Sequence, residues 1–406
     1  MKGNRVRATV QNRSVIRSNF LFVLLGMALM APLLLLKPLL ARRVTTRPQT
    51  SISPATAMPL WGELEYTRFA LGQPDQLLPD STNAWPAPAW HFERTTTAEL
   101  TALFNSVDTS PTARRSLLDT NRWEISSDGV IVRPTLELLV ELGPPARERI
   151  YAELANFPVN MPQFYPFRFR ADGFDQWFAQ SRLAPEKIEL VRSLTYTNGG
   201  GAICLADLDV LQAKLGREDF HRLFESLYSE QSLFLSLRVK PSTDLQSLAR
   251  YWGNGREEEV VSILKSVAKS GGGSVDVAYL LPSFARLRLY KFGAVSEDSS
   301  KDCFWTALNF FHDETEAQIE TGNRSLEKLL SEYGETLEAP RFGDVVVFLE
   351  NRKPAHACVY IADEVVFTKN GVNHHQPWVL MKLNDVLPRY ATDRPMSLVV
   401  MRRKGT

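Results

Sequence analysis

The chain has 406 residues, with 47 Lys and Arg against 46 Asp and Glu, and 44% of it is hydrophobic. That length holds two globular domains with separate cores, and a formal net charge of +1 excludes a strongly basic nucleic-acid-binding protein. Three cysteines (Cys204, Cys303 and Cys358) are too few for a disulfide framework, and the odd count leaves one sulfur free or paired between chains.

The first 18 residues carry Lys2, Arg5, Arg7, Arg13 and Arg17 and no acid, which reads as a cytoplasmic basic tail. Phe20 to Leu36 is uncharged and is followed by Lys37, Arg42 and Arg43. Roughly 17–21 apolar residues cross a bilayer as a helix, so 19–41 is predicted to be a transmembrane signal anchor. The excess of cations before the span puts the N-terminus in the cytoplasm and the main domains on the extracytoplasmic side. A cleaved secretory signal is the rival reading, with an overlong apolar region and no small-x-small site before the arginines.

Residues 42–95, rich in Pro, Ser and Thr, read as a linker. A mixed, mainly helical domain is expected over 96–274. "TTAELTALFNSV" opens it with a Thr cap, and "TLELLVELGPPARERIYAELANF" predicts two helices broken at Gly143-Pro144-Pro145. The aromatic stretch Phe157 to Phe178, interleaved with Arg168 and Arg170, has two readings: rings plugged into the core, or rings that stack on sugars. "IELVRSLTYTNGGGAICLADLDVLQAKLG" suggests a strand, a glycine turn and a helix. Its glycines lack the spacing of a phosphate loop, and Cys204 reads as a small buried hydrophobe. Phe220, Leu223, Phe224, Leu227 and Tyr228 share a helical face; "LFLSLRVKPS" alternates as a strand; "TDLQSLARYWG" and "REEEVVSILKSVAKS" read as capped helices. "SGGGS", Ser270 to Ser274, marks the internal boundary.

The last section, 275–406, carries the candidate chemistry. "SSKDCFWTALNFF" puts Cys303 at the first turn of a helix capped by Asp302 or Ser300, where unpaired N–H groups are expected to lower a thiol's pKa. Trp305, Ala307, Leu308, Phe310 and Phe311 anchor that helix. Three strands of an antiparallel meander follow, at Asp344 to Leu349, Ala355 to Ile361 and Val365 to Thr368. His356 opens the second strand and shares a face with Cys358 and Tyr360, and the third brings Thr368 and Asn370 alongside. A thiol facing a strand-borne imidazole, oriented by a third polar group, is the arrangement of a nucleophile–base pair. A zinc site from Cys303, His356, Cys358 and the His374-His375 pair is the rival, without the usual ligand spacing. The expected fold class is α+β, with no cofactor and no metal.

Three short motifs carry a resemblance over roughly Tyr290 to Gly371, about a fifth of the chain. They are Tyr290-x-Phe292-Gly293 followed by Asp302-Cys303, then Gly343 to Phe348 (GDVVVF), then His356 to Ile361 (HACVYI). In order and spacing they resemble the NlpC-type branch of papain-like cysteine amidohydrolases. The resemblance implies a papain-like C-terminal domain with Cys303 as nucleophile, His356 as general base and Tyr290 as a hydroxyl lining the site. The family's third histidine falls at Thr368, and Asn370 is the expected orienter. Phe304-Trp305 replaces the family's Ser-Gly, and Cys358 stands at its glycine. A sulfur there either pairs with Cys303 under oxidation or is a packed thiol. The implied activity is cleavage of an amide bond in cell-wall peptide, so the expected partners are a peptidoglycan-like substrate and, through the N-terminal helix, a membrane. A non-catalytic, envelope-anchored scaffold with a degenerate domain is the alternative.

Overall fold

The computed structural model describes residues 59–74, 87–169, 174–179, 181–293, 301–312, 323–371, 375–391 and 394–405. The expected membrane span, 19–41, lies outside them. Among the described residues no helix is long and apolar enough to cross a membrane.

The architecture is mixed α+β with several antiparallel sheets. In chain order come β1 (Glu63–Leu71), β2 (Trp90–Glu93), α1 (Thr97–Ser106), α2 (Pro111–Leu117), β3 (Trp123–Ser126) and β4 (Gly129–Val132). Next are α3 (Leu136–Glu141), α4 (Pro144–Leu154), α5 (Met161–Phe164), β5 (Phe167–Phe169), α6 (Phe174–Phe178), α7 (Pro185–Ser193), β6 (Thr195–Thr197) and β7 (Ile203–Leu205). Then follow α8 (Leu208–Leu215), α9 (Arg217–Leu227), β8 (Glu230–Val239), α10 (Leu245–Gly253), α11 (Glu257–Lys269), β9 (Gly273–Asp276) and α12 (Ser283–Arg288). The last section holds α13 (Cys303–Asn309), α14 (Asn323–Glu332), β10 (Tyr333–Thr336), β11 (Val345–Glu350), β12 (Lys353–Ala362), β13 (Val365–Lys369), β14 (Trp378–Lys382), α15 (Leu383–Tyr390) and β15 (Met396–Arg403).

Local signals explain several of these elements. Thr96 caps α1 by accepting from the Glu99 N–H while the Glu99 carboxylate accepts from the Thr96 N–H, a reciprocal capping box. Gly143 precedes α4 with Pro144 at its first position, which separates α3 from α4 as the sequence predicts. Part of the aromatic stretch serves the core: Phe169, Phe174 and Phe178 are buried and pack edge-on or tilted against one another, while Tyr165 is exposed. Cys204 is buried in the same core.

Three expectations need correction. Ile188 to Val191 is helical, within α7, and only Thr195–Thr197 is extended. Pro185 at the first helical position and burial of Val191 favour the helix. Part of the supposed linker is ordered sheet, since β1 pairs along its whole length with β8 and β2 pairs with β4. Nor does the sheet break at Ser270 to Ser274: Gly271 and Gly272 turn α11 into β9, which pairs with β8. The apolar core divides earlier, one cluster running from Trp90 to Leu227 and the next beginning at Leu233.

The last section is built on a six-stranded sheet, order β10-β15-β11-β12-β13-β14, whose neighbours are all antiparallel. Val345 to Leu349 is buried throughout because both faces of the sheet are covered, as in any strand with two apolar faces. Val345, Val347, Ala357, Val359 and Phe367 pack with Trp305 and Ala307 of α13 and with Phe310 just after it. Val346, Phe348, Cys358, Tyr360 and Val366 form the other face, with Val386 and, at the margin, Leu383, Leu387 and Tyr390 of α15. Burial of Trp305 and Phe310 contributes about 1.5–3 kcal/mol each, which fixes α13 and therefore Cys303. Gly343, at a φ of +88°, leads into β11 where any Cβ would lie 2.1 Å from the Phe311 ring.

Candidate active site

Cys303 is the first residue of α13, and the Asp302 carboxylate caps the helix by accepting from the Trp305 N–H at 2.8 Å. The ladder between β12 and β13 ends at Val359 and Phe367. Near that end the Ala357 N–H acts on the Cys303 thiol, which in turn acts on Cys358 and Tyr390 electrostatically. α13, which carries the thiol, packs on one face of the sheet, and the imidazole lies with Phe348 and Tyr390 on the other.

His356 is fully buried. Its Nε2 lies 2.9 Å from Thr368 Oγ1, the Thr368 hydroxyl donates to Asn370 Oδ1 at 3.2 Å, and the Asn370 amide donates to Met381 Sδ at 3.1 Å. The direction of this chain sets the tautomer. Because Thr368 spends its proton on Asn370, its oxygen accepts from Nε2–H, and the lone pair of His356 is left on Nδ1. Nδ1 is buried with no hydrogen-bond partner among the described residues. The third group is thus Thr368, with Asn370 behind it, rather than Asn370 in direct contact with the ring.

Tyr290 is not brought to this group. Its hydroxyl donates to the Leu233 carbonyl at 2.7 Å, and its ring packs edge-on to Phe69, so it ties the last section to β8 and β1. Sequence reasoning missed Tyr390, whose ring lies parallel to the His356 imidazole at 4.0 Å between centroids and 15° between planes. Phe348 meets the imidazole edge-on at 5.2 Å. No spacing rule ties Tyr390 to His356, and only the packing of α15 joins them.

Burial overrides the helix entrance in setting the thiol. Desolvation pushes the Cys303 thiol well above its ordinary range, with the Asp302 carboxylate acting in the same direction and the Ala357 N–H only partly offsetting both. Cys358, whose thiol donates to the Val346 carbonyl, is raised likewise by burial and then by Cys303. Desolvation, followed by the nearby Arg389 charge, lowers His356 to about 3. In this closed arrangement the thiol and the imidazole are both neutral.

A pH dependence follows from the imidazole. Its folded pKa of about 3 lies below the ordinary 6.5, so between those values the unfolded chain takes up a proton that the folded chain does not. Stability contributed by neutral His356 is therefore present above pH 6.5 and is lost as pH falls toward 3. Thermal unfolding of wild type against His356→Gln from pH 7 to pH 4 should show wild type losing on the order of 2–3 kcal/mol more than the variant. Parallel losses in both proteins would mean that the ring takes up its proton without unfolding.

Among the described residues no group of three His, Cys, Asp or Glu gathers as metal ligands, and His374 lies outside them. No family model, no curated protein and no solved structure matches the chain.

Proposed function

We propose that the chain is a thiol hydrolase of papain-like design that cuts an amide bond, with Cys303 as nucleophile and His356 as general base. The observation that carries this reading is the chain Asn370–Thr368–His356, which leaves a buried Nδ1 with no hydrogen-bond partner among the described residues.

In the proposed reaction His356 Nδ1 takes the thiol proton and the Cys303 sulfur attacks the amide carbonyl carbon. The oxyanion that forms accepts a hydrogen bond from the Cys303 N–H at the entrance of α13. Nδ1–H then protonates the leaving amine, and the C–N bond breaks to give a thioester. Water, activated by the same nitrogen, releases the acid and regenerates the thiol. The motif resemblance makes a cell-wall peptide the proposed substrate. The uncharged segment after a basic tail supports an anchored protein working outside the cytoplasmic membrane.

A second reading has one observation in its favour: burial favours the neutral thiol and the neutral imidazole, and Tyr390 covers the imidazole, as in a domain kept only as a scaffold. Incubating the full chain with purified cell-wall fragments separates the two. Hydrolysis predicts fragments with one added water and a new free amine, lost in Cys303→Ala. Unchanged fragments with both proteins, also after Tyr390→Ala, would favour the scaffold.

A further inference from the structure

α15 has little means of holding itself. It is eight residues long, and Pro388 within it has no N–H for the Asn384 carbonyl. An interior proline costs roughly 3 kcal/mol, and so short a helix is unstable alone. Its apolar face packs on the sheet, but the polar contacts at its C-terminal end come from outside 275–406. The Arg389 guanidinium pairs with Glu230 at 2.9 Å and lies over the Trp177 ring at 5.7 Å. The Arg389 carbonyl accepts from Arg168 Nη1 at 2.7 Å, and the Ala391 carbonyl accepts from Asn198 Nδ2 at 2.9 Å. These two carbonyls lie at the helix end, where partners within the helix run out. Gly200 comes so near that a Cβ there would lie 2.7 Å from the Ala391 carbonyl carbon, which gives the glycine turn a role.

The same helix ends in Tyr390, whose ring covers the His356 imidazole. We propose that α15 is a lid over the Cys303–His356 site, latched shut by the preceding region through Glu230, Arg168 and Asn198. Opening it would free the face of His356 that Tyr390 now covers and admit solvent to the sulfur. The regulatory meaning of the lid rests on Cys303 and His356 being the working pair, but the lid itself is a statement about access. Through these contacts the middle region sets the fraction of molecules that are open.

The test is alkylation of the full chain by iodoacetamide at neutral pH, followed at each cysteine by mass. Cys204, buried in the other core, reports on folding. In wild type Cys303 should react slowly, and in Glu230→Gln, Arg168→Ala and Gly200→Val it should react about tenfold faster or more while Cys204 stays protected. Cys303 as fast as a free thiol in wild type, or unchanged in all three folded variants, overturns the lid. If the variants expose Cys204 as well, hydrogen exchange on wild type decides. Amides of α15 should then exchange well before those of β11 to β13, and equal protection overturns the lid. A Cys303 freed by Glu230→Gln whose reactivity is indifferent to His356→Ala leaves the lid standing and removes the catalytic reading.

Discussion

Replacing His356 with alanine should slow amide hydrolysis about 10³-fold, within the range for loss of a general base, and Cys303→Ala should abolish it. The expectation follows from the direction of the hydrogen-bond chain. Met381 Sδ fixes the Asn370 amide, Asn370 Oδ1 takes the Thr368 proton, and Thr368 Oγ1 takes Nε2–H. Thr368→Val keeps the shape and removes the acceptor, so the Nδ1–H tautomer becomes populated and the base is lost from part of the molecules. A loss of about tenfold in kcat, smaller than that of His356→Ala, is expected, with recovery in Thr368→Ser. Asn370→Ala leaves the Thr368 hydroxyl free to turn and donate to Nε2, which would place the proton on Nδ1. It should therefore also lower kcat, although it does not touch the ring. Kinetics on a defined amide substrate checks this order, and an Asn370→Ala protein with full turnover would mean that the tautomer is set by another group.

Arg147→Ala should be the most damaging single change to the fold. Arg147 is fully buried, and Nε donates to Asp207 Oδ2 at 2.8 Å. Nη1 donates to the Leu142 carbonyl at 2.8 Å and the Ser193 carbonyl at 3.2 Å, and Nη2 to the Leu139 carbonyl. These carbonyls belong to the ends of α3 and α7, so one side chain closes both helices. Tyr151 donates its hydroxyl to the other oxygen of Asp207. Deleting Arg147 leaves a buried carboxylate without its cation and helix ends without donors, a cost of about 3–5 kcal/mol. Typical domain stability is about 5–15 kcal/mol, so much of it would go. Urea unfolding measures the loss, and an Arg147→Met, Asp207→Leu pair should be far milder, because neither charge is then stranded. The folding of this region also supports Arg168 and Asn198, so the single variant should expose Cys303 as well.

The sequence discloses local chemistry better than long-range packing. Thr96 with Glu99, Pro144 after Gly143, and Asp302 before Cys303 are signals confined to a few residues, and each element starts where they place it. The meander is legible because Val345 to Lys369 is strongly apolar with turn residues at Asn351 and Asp363, both at positive φ. Ile188 to Val191 fits strand and helix patterns alike, and Pro185 together with burial of Val191 against the first core decides it. The pairing of β1 with β8 joins residues as far apart in sequence as Glu63 and Arg238, and no local signal marks it.

The same division holds within the site. Cys303 and His356 are legible as residue types in a motif order, and Thr368 and Asn370 as neighbours on one strand face. Their actual order, with Thr368 on the ring and Asn370 behind it, depends on side-chain distances. The expected lowering of the thiol's pKa is reversed because helix-end effects are local, whereas desolvation by α13, α15 and the sheet depends on the whole fold. Tyr290 fits the motif yet is held by Leu233. Tyr390 is invisible in the sequence because its partner lies on another element, and α15 is positioned by residues far back in the chain.

The most direct measurement is the pH profile of Cys303 alkylation in the Glu230→Gln protein, with and without His356. A working pair predicts that Cys303 reacts ahead of Cys204 and Cys358 near pH 6, with an inflection below pH 7 that His356→Ala removes. Slow, equal reaction of all three thiols, rising only toward the ordinary thiol range of about pH 8.5 and indifferent to His356→Ala, would contradict it.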